Sequence, residues 1–141
     1  MPSNADRQIL VDTSVAVALL VGDHEHHAAV AQSLAGMQLG LAGHAAFETF
    51  SVLTRLPAPL RRTAAAAGRL LHGNFPHTAF LSESGSADLF TRLAKLGITG
   101  GAVYDALVGA TAAEHGLPLV TRDLRAVDTY RALDVDVELI A

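Results

Sequence analysis

The sequence contains no cysteine among its 141 residues. Disulfide bonds and thiolate metal sites are therefore excluded, and any metal ion that the chain binds must be held by oxygen or imidazole ligands. A chain without cysteine is compatible with a reducing compartment. This absence limits the chemistry that is open to the protein but leaves its fold unrestricted.

Long apolar stretches are also missing. No uninterrupted apolar run approaches the roughly 18 residues that a membrane-spanning helix needs. The apolar segment near the N-terminus is interrupted by Asp12, and no cleavage pattern of a signal peptide follows a basic stretch. We therefore expect a cytoplasmic protein that has no signal peptide and does not partner a membrane.

Charged residues are few: they make up 17% of the chain, whereas 50% of the residues are hydrophobic. A chain of this length and composition predicts a single domain, residues 1–141, with a substantial core. The formal net charge of −4 argues at first against a nucleic-acid partner. The positions of the charges are more informative than their sum.

Stretches with strand and helix character alternate along the chain. The predicted strands are residues 8–11, 38–42, 78–82, 117–121 and 135–140, and the predicted helices are residues 14–21, 24–34, 45–56, 60–72, 86–96, 103–115 and 124–133. The helix at 45–56 carries an apolar stripe that we expect to face the core. Its members are Phe47, Phe50, Leu53 and Leu56. Strands separated by helices predict an α/β domain with a mainly parallel sheet.

Three carboxylates, Asp12, Glu48 and Asp105, stand alone in stretches that we predict to be buried. Each is the only formally charged residue of its stretch, and none has a cation at helical spacing. Because an unpaired buried carboxylate is costly, a distant charge must compensate it. A bound divalent cation would do so for all three, and carboxylate ligands suit Mg²⁺ or Mn²⁺.

Two of the acids follow predicted strands. Asp12 comes directly after strand 8–11, and Asp123 follows strand 117–121. Open parallel sheets place their sites at the carboxyl ends of the strands. Structural alternatives remain open, since Asp12 and Asp123 each precede a predicted helix as an N-cap would, and Asp105 near a helix start favours the helix dipole. Glu48 lies within an apolar helix, where a structural role is hardest to find.

At these positions the sequence resembles the PIN-domain nucleases, and within them the VapC-type toxins of bacterial toxin–antitoxin pairs. The resemblance spans nearly the whole chain and rests on the segments LVDTSV, AAFETFSVLTRLP and VYDALVGATAAEHGLPLVTRD, in this order and spacing. The metal and catalytic residues that it implies are Asp12, Glu48, Asp105 and Asp123. The supporting residues that it implies are Thr13, Ser14 and Thr121. Many relatives carry an aromatic residue after TRD that is replaced here, so Asp128 is an alternative to Asp123 as the fourth acid.

The resemblance also implies a fold, an activity and partners. The fold is a three-layer α/β/α sandwich with a mainly parallel central sheet. The activity is that of an endoribonuclease that uses Mg²⁺ or Mn²⁺ to activate water and leaves 5′-phosphate and 3′-hydroxyl ends. A cognate antitoxin protein holds such a toxin inactive, and homodimers are common. The expected substrate is structured RNA, with transfer RNA favoured over ribosomal or messenger RNA.

Basic residues gather in one part of the sequence. The segment from Thr49 to Ser82 contains four arginines and no acid, and two more arginines flank Asp123. We interpret them as candidates for contacts with RNA phosphates. They are Arg55, Arg61, Arg62, Arg69, Arg122 and Arg125. A solvated helix face or a protein-binding surface is the alternative for each.

Other readings of the chain are weaker. The run HEHH at residues 24–27 lacks the i, i+4 histidine pair of helical zinc sites, so we interpret it as surface. An aspartate-based phosphatase or receiver domain would also place Asp12 after its first strand. Such a domain needs a second nearby aspartate or a lysine after a late strand, and Lys95 is the only lysine. A non-catalytic PIN-like binding protein is the remaining alternative, although all four acids are retained.

Overall fold

The computed structural model describes residues 7–140. In this part of the chain four strands form one sheet: β1 (Gln8–Val11), β2 (Gln38–Leu41), β3 (Leu119–Thr121) and β4 (Val137–Leu139). The helices of the same part are α1 (Thr13–Leu20), α2 (His27–Leu34), α3 (His44–Thr54), α4 (Ala64–Asn74), α5 (Glu83–Leu96), α6 (Ala102–His115) and α7 (Val127–Ala132). A short 3₁₀ helix, Leu124–Ala126, precedes α7. None of these helices is both long and apolar enough to cross a membrane.

The sheet separates two apolar clusters. Alternate residues of β1 point to opposite faces, so Ile9 and Val11 enter one cluster whereas Leu10 enters the other. Buried residues of α1, α2 and α4 join the first cluster, those of α5, α6 and α7 join the second, and α3 contributes to both. Helices therefore cover both faces of the sheet, and the predicted three-layer α/β/α sandwich is confirmed.

The strand order creates a natural site between β1 and β3. The order is β2-β1-β3-β4, and every neighbouring pair is parallel. From β1 the chain crosses to β2 on one side, and it later returns through β3 on the other side. The connections therefore diverge at the carboxyl ends of these two strands, which is where open α/β sheets form a crevice.

A glycine brings the two helices that border this crevice close together. Gly43 precedes α3 with a φ of +50°, which a residue with a side chain rarely adopts. A Cβ atom at this position would also collide with the side chain of Thr111 on α6. Gly43 therefore permits a close approach of α3 to α6.

Several predicted elements differ from the structure. Residues 78–82 form no strand but only one isolated parallel bridge between Ala79 and Ala42, because Ser82 already caps α5. The second helix begins at His27 rather than at residue 24. The predicted helix at 124–133 is divided into the 3₁₀ helix and α7.

The prediction that the apolar stripe of α3 faces the core is confirmed for Leu53, which is fully buried, and was wrong for the two phenylalanines. Phe47 is 65% exposed and Phe50 is 36% exposed. The buried face of α3 instead carries Ala45, Thr49 and Leu53, which are spaced four residues apart. Side chains that could pack inward lie on more than one face of α3. The face with the smaller side chains packs inward here, because α3 lies close to α6.

Candidate active site

Asp12 lies at the bottom of the crevice, directly after β1, and it is 4% exposed. It is the N-cap of α1, the structural alternative that its sequence position left open, because its Oδ1 accepts a hydrogen bond from the backbone N–H of Val15 at 3.3 Å. Oδ1 also accepts from Ser14 Oγ at 2.5 Å. Oδ2 accepts from Thr121 Oγ1 and, at 2.9 Å, from Tyr130 OH. We call Asp12 and these four donors the floor of the site.

Two hydroxyl groups of the floor connect β1 to the loop after β3. Ser14 Oγ, which donates to Asp12, accepts a hydrogen bond from the backbone N–H of Arg122 at 3.0 Å. Thr121 Oγ1 also donates to Asp12, and it accepts from the backbone N–H of Asp123 at 3.0 Å. Each hydroxyl thus acts as donor and acceptor at once, which fixes the position of the loop relative to Asp12.

The environment of Asp12 acts on its charge in two directions. Burial raises the pKa of the Asp12 carboxyl, and this is the largest cause. The hydrogen bonds from Ser14, Thr121 and Tyr130 lower that pKa because they stabilise the ionised form. Burial also raises the pKa of Tyr130, and the charge of Asp12 raises it further. Tyr130 therefore keeps its proton and remains a donor.

Tyr130 was not singled out by the sequence. Its position on α7 predicts an apolar core residue, and the ring is indeed 1% exposed within the second apolar cluster. Only the fold shows that its hydroxyl meets Asp12, which precedes it by 118 residues. A buried tyrosine usually finds a hydrogen-bond partner, but sequence does not say which.

Glu48 lies on the side of the crevice formed by α3, and its side chain is 41% exposed. Its Oε2 accepts a hydrogen bond from Thr13 Oγ1 at 3.5 Å, and its Oε1 is 3.3 Å from His44 Nε2. The ring of His44 stacks on that of Tyr104, with 5.0 Å between the ring centroids. His44 and Glu48 are four residues apart on α3, the spacing at which side chains of one helix meet.

Asp105 lies in the first turn of α6, as its sequence position predicts. Its side chain is half-buried there. Partial burial is the largest cause that raises the pKa of the Asp105 carboxyl. That pKa is raised further by the carboxylates of Asp123, Glu48 and Asp12, while Arg125 lowers it. The fold therefore brings all four acids into one electrostatic neighbourhood.

Asp123 enters this neighbourhood from the loop after β3. It caps the 3₁₀ helix by accepting a hydrogen bond from the backbone N–H of Arg125 at 3.0 Å. Its Oδ1 is also 3.8 Å from Arg125 Nε. The alternative acid, Asp128, is exposed on α7 and is not among the groups that shift the pKa of Asp105. We therefore favour Asp123 as the fourth acid. We call Glu48, Asp105 and Asp123 the rim of the site.

The burial of the three isolated carboxylates differs from the prediction. Only Asp12 is fully buried, whereas Glu48 and Asp105 are half-buried at the rim. The apolar neighbours of these acids are themselves not all internal, since Phe47 beside Glu48 and Tyr104 beside Asp105 are both exposed. The charge compensation that we expected for buried groups is thus needed most at Asp12.

The donor set suits a hard divalent cation. All four acids offer carboxylate oxygens, which Mg²⁺ and Mn²⁺ prefer, and a cation would offset the mutual repulsion that raises the pKa of Asp105. In residues 7–140 no three acidic or imidazole side chains are close enough to form a ready metal site. The side chains of Glu48 and Asp123 are 41% and 37% exposed, so neither is confined by the core.

The histidines of the HEHH run have local partners. His26 Nε2 is 3.1 Å from a carboxylate oxygen of Glu25, and the backbone N–H of His26 donates to His24 Nδ1 at 3.1 Å. His27 Nδ1 is 3.0 Å from the carbonyl oxygen of Ala18. Partial desolvation lowers the pKa of His24, and the nearby charge of Arg122 lowers it further. This run therefore borders the loop after β3.

The candidate arginines fall into two groups. Arg122 and Arg125 are beside the acids, and the side chain of Arg125 is 96% exposed. The other four lie at and after the C-terminal end of α3 and on α4: Arg55, Arg61, Arg62 and Arg69. In this second group Arg61 Nε donates to the carbonyl oxygen of Leu56 at 2.9 Å, and Arg62 donates to that of Leu60. The first group is placed better for contact with a molecule in the crevice.

Comparisons with known proteins identify the family of the chain. The family profile described as the PIN domain matches residues 9–132. The chain is 50% identical to Ribonuclease VapC27 of Mycobacterium tuberculosis over 133 residues, which cover 94% of this chain and 97% of the relative. It is 46% identical to Ribonuclease VapC40 of the same species over 136 residues, which cover 94% of this chain and 98% of the relative.

A solved structure shares the fold. The structure described as FitAB bound to an IR36 DNA fragment superposes with a TM-score of 0.62 at 22% sequence identity. The match covers 93% of this chain and 94% of the other chain. At this identity the likeness supports the α/β/α architecture and its connectivity.

Proposed function

The chain belongs to the PIN-domain family, and we propose that it is a divalent-metal-dependent endoribonuclease of the VapC type that cleaves structured RNA. The observation that carries the proposal is that the carboxylates of Asp123, Glu48 and Asp12 all lie near enough to Asp105 to add to the effect of burial and raise the pKa of its carboxyl. The names of the two mycobacterial relatives support ribonuclease activity.

In this proposal Asp12, Glu48, Asp105 and Asp123 hold Mg²⁺ or Mn²⁺. The bound ion would supply an acidified water as nucleophile and neutralise charge on the phosphate. Asp12 offers a carboxylate whose orientation is fixed by the floor. The rim acids would add the negative charge that balances a divalent cation. Thr13 orients Glu48 through its hydroxyl group. Ser14 on α1 and Thr121 at the end of β3 donate to Asp12 and would keep its carboxylate in place.

Substrate binding in this proposal uses the arginines beside the acids first. Arg122 and Arg125 would contact backbone phosphates next to the scissile bond, and the arginines of the α3–α4 region would contact phosphates farther away. Among RNAs we favour transfer RNA, because its single-stranded loops offer accessible phosphodiester bonds.

The proposed partners follow from the VapC likeness. We propose that a cognate antitoxin protein covers the crevice and keeps the enzyme inactive, that the chain forms homodimers, and that it acts in the cytoplasm. Growth arrest when the chain is expressed alone, relieved by Asp12→Asn, would support the toxin role. Normal growth would argue against that role while leaving the nuclease activity to be tested in vitro.

The test of the nuclease is cleavage of total bacterial RNA by the purified protein with Mg²⁺, Mn²⁺ or EDTA. Asp12→Asn is the matched control, because asparagine keeps the shape and one acceptor oxygen but removes the charge. We expect discrete fragments with metal and none with EDTA or with the variant, and sequencing of the fragment ends identifies the RNA. Intact RNA in every lane would overturn the proposal and favour the non-catalytic binding protein.

A second control separates the nuclease from the aspartate-based phosphatase. A phosphatase would release phosphate from small esters such as p-nitrophenyl phosphate and leave RNA intact. We expect the reverse, with Asp105→Asn as inactive on RNA as Asp12→Asn. Normal RNA cleavage by either variant would show that the site is assigned wrongly.

A further inference from the structure

The hydroxyl group of Tyr130 is in an unusual place for a core tyrosine. The side chain is 1% exposed, and its OH donates a 2.9 Å hydrogen bond to Oδ2 of Asp12, which is itself 4% exposed. Phenylalanine would fill the same apolar space without a polar group to satisfy. The hydroxyl group is therefore explained by its contact with Asp12 rather than by packing.

The ring of Tyr130 is held tightly by its neighbours. A Cβ atom on Gly109 of α6 would lie 3.0 Å from Cδ1 of Tyr130, 3.3 Å from Leu133 and 3.4 Å from Val135. The ring thus packs against α6 at a position where only hydrogen occupies the side-chain site. Because the phenol oxygen lies in the plane of the ring, this packing also fixes where the hydroxyl group sits.

Tyr130 differs in this respect from the other two hydroxyl donors. The hydroxyl groups of Ser14 and Thr121 rotate on short side chains and can turn toward other acceptors. Both also accept a hydrogen bond from the loop after β3. Tyr130 alone among the three hydroxyl donors approaches Asp12 from α7, on a rigid ring, and it shares Oδ2 with Thr121.

We propose that Tyr130 is a positioning residue that sets the orientation of the Asp12 carboxylate for cation binding. The proposal rests on the function proposed above, since it assumes that Asp12 is a metal ligand. Tyr130 itself touches neither the metal nor the RNA. Its hydrogen bond to Oδ2 holds the plane of the Asp12 carboxylate in one orientation, as outer partners of metal ligands commonly do.

The first test measures the affinity for Mn²⁺ of the purified protein by the electron paramagnetic resonance signal of free Mn²⁺. We expect Tyr130→Phe to lower the affinity by about tenfold or more, which is typical when an outer partner of a metal ligand is removed. Tyr104→Phe is the matched control, because Tyr104 is 53% exposed and keeps its ring stacked on His44. RNA cleavage by Tyr130→Phe should recover at high Mn²⁺, whereas a merely structural defect would not.

The second test observes the hydroxyl group without removing it. The sequence has two tyrosines and no tryptophan, so in a Tyr104→Phe protein the near-ultraviolet absorption of tyrosine comes from Tyr130 alone. We expect saturating Mg²⁺ to shift this band, because the cation draws charge from the carboxylate that accepts the hydrogen bond. Adding Asp12→Asn should abolish the shift. This measurement remains decisive if Tyr130→Phe does not fold.

The outcomes separate this inference from the nuclease proposal. The positioning role would be overturned by an unchanged Mn²⁺ affinity in Tyr130→Phe, or by an absorption band of Tyr130 that does not shift with Mg²⁺. Either result would do so even if the protein cleaves RNA. A large loss of Mn²⁺ affinity in Tyr130→Phe would support the positioning role. If the unaltered protein then cleaves no RNA, the nuclease proposal is overturned while the positioning role stands. Absence of Mn²⁺ binding by the unaltered chain would overturn both.

Discussion

The floor and the rim hold their carboxylates in opposite ways. Asp12 is buried, and four uncharged donors satisfy both of its oxygens. At the rim, Glu48 is 41% exposed and Asp123 is 37% exposed, and the pKa of Asp105 is raised first by partial burial and then by the neighbouring carboxylates. The protein itself thus orients the floor, whereas the rim is left with repulsion that a cation would relieve. In the proposed metal site, the floor would be arranged before the cation binds and the rim would adjust to it.

Replacement of Asp12 by alanine should have the largest effect on stability. Asp12→Ala removes the acceptor of four donors, and a buried donor without a partner costs about 1–3 kcal/mol. After the gain from removing a buried charge, we expect a loss of at least about 2 kcal/mol in the free energy of unfolding. Urea denaturation in EDTA measures it, with Asp12→Asn as the control that keeps an acceptor. Equal stability of Asp12→Ala and the parent would contradict the floor as a structural unit.

Thr121→Val should come next. Valine matches the shape of threonine but neither donates to Asp12 nor accepts from the backbone N–H of Asp123, so we expect a loss of about 1–2 kcal/mol. The control is Thr49→Val, which is equally buried but whose hydroxyl group donates only to the carbonyl oxygen of Ala45 on its own helix. Equal losses in the free energy of unfolding for the two variants would show that the hydroxyl group of Thr121 does not connect the floor to the rim.

Asp105→Asn at the rim should make the metal-free protein more stable, whereas the first two variants make it less stable. The folded state raises the pKa of Asp105 above its ordinary 3.8, so the protonated form stabilises the fold, and this contribution is lost as pH rises through the folded pKa. In EDTA we expect equal unfolding temperatures for variant and parent near pH 3 and a higher one for the variant near pH 7. Excess Mn²⁺ should reverse the order at pH 7. A less stable variant in EDTA at pH 7 would contradict repulsion at the rim.

Arg125→Ala should have the smallest effect on stability, within about 0.5 kcal/mol, because its side chain is 96% exposed and its ion pair is screened. Its effect should appear in RNA binding. If Arg125 contacts a phosphate, the slope of log affinity against log salt should fall by about one. Filter binding with the inactive Asp12→Asn protein measures this slope, with Arg131→Ala on the exposed side of α7 as the control. Equal slopes for both would remove Arg125 from the RNA contacts.

The floor and the rim were not equally accessible from the sequence. The prediction of a parallel α/β fold was confirmed, and the N-cap positions of Asp12 and Asp123 were confirmed, because these features follow from short local patterns. The metal-binding roles of the four acids stay predictions. The sequence does not reveal which group a buried hydroxyl group contacts, so the role of Tyr130 at Asp12 was not predicted.

Burial was the other quantity that local patterns misjudged. An apolar neighbourhood predicted that Glu48 and Asp105 are buried, although both lie at an open edge. The phenylalanines of α3 were predicted to be internal for the same reason, yet Phe47 lies beside Phe80, with 6.0 Å between ring centroids, in a surface groove of about 570 Å³. Hydrophobic periodicity gives the phase of a helix, but which of two apolar stripes packs inward depends on the neighbouring elements.

The hydrogen bonds of Asp12 span nearly the entire chain, since Thr121 and Tyr130 follow it by 109 and 118 residues. A chain is synthesised from its N-terminus, so Asp12 leaves the ribosome long before either partner does. Such distant contacts form late in folding because the intervening loop must first close. An unfinished chain that ends before β3 therefore has Asp12 without the complete floor, and the cell meets the assembled site only after β3 and α7 have been synthesised.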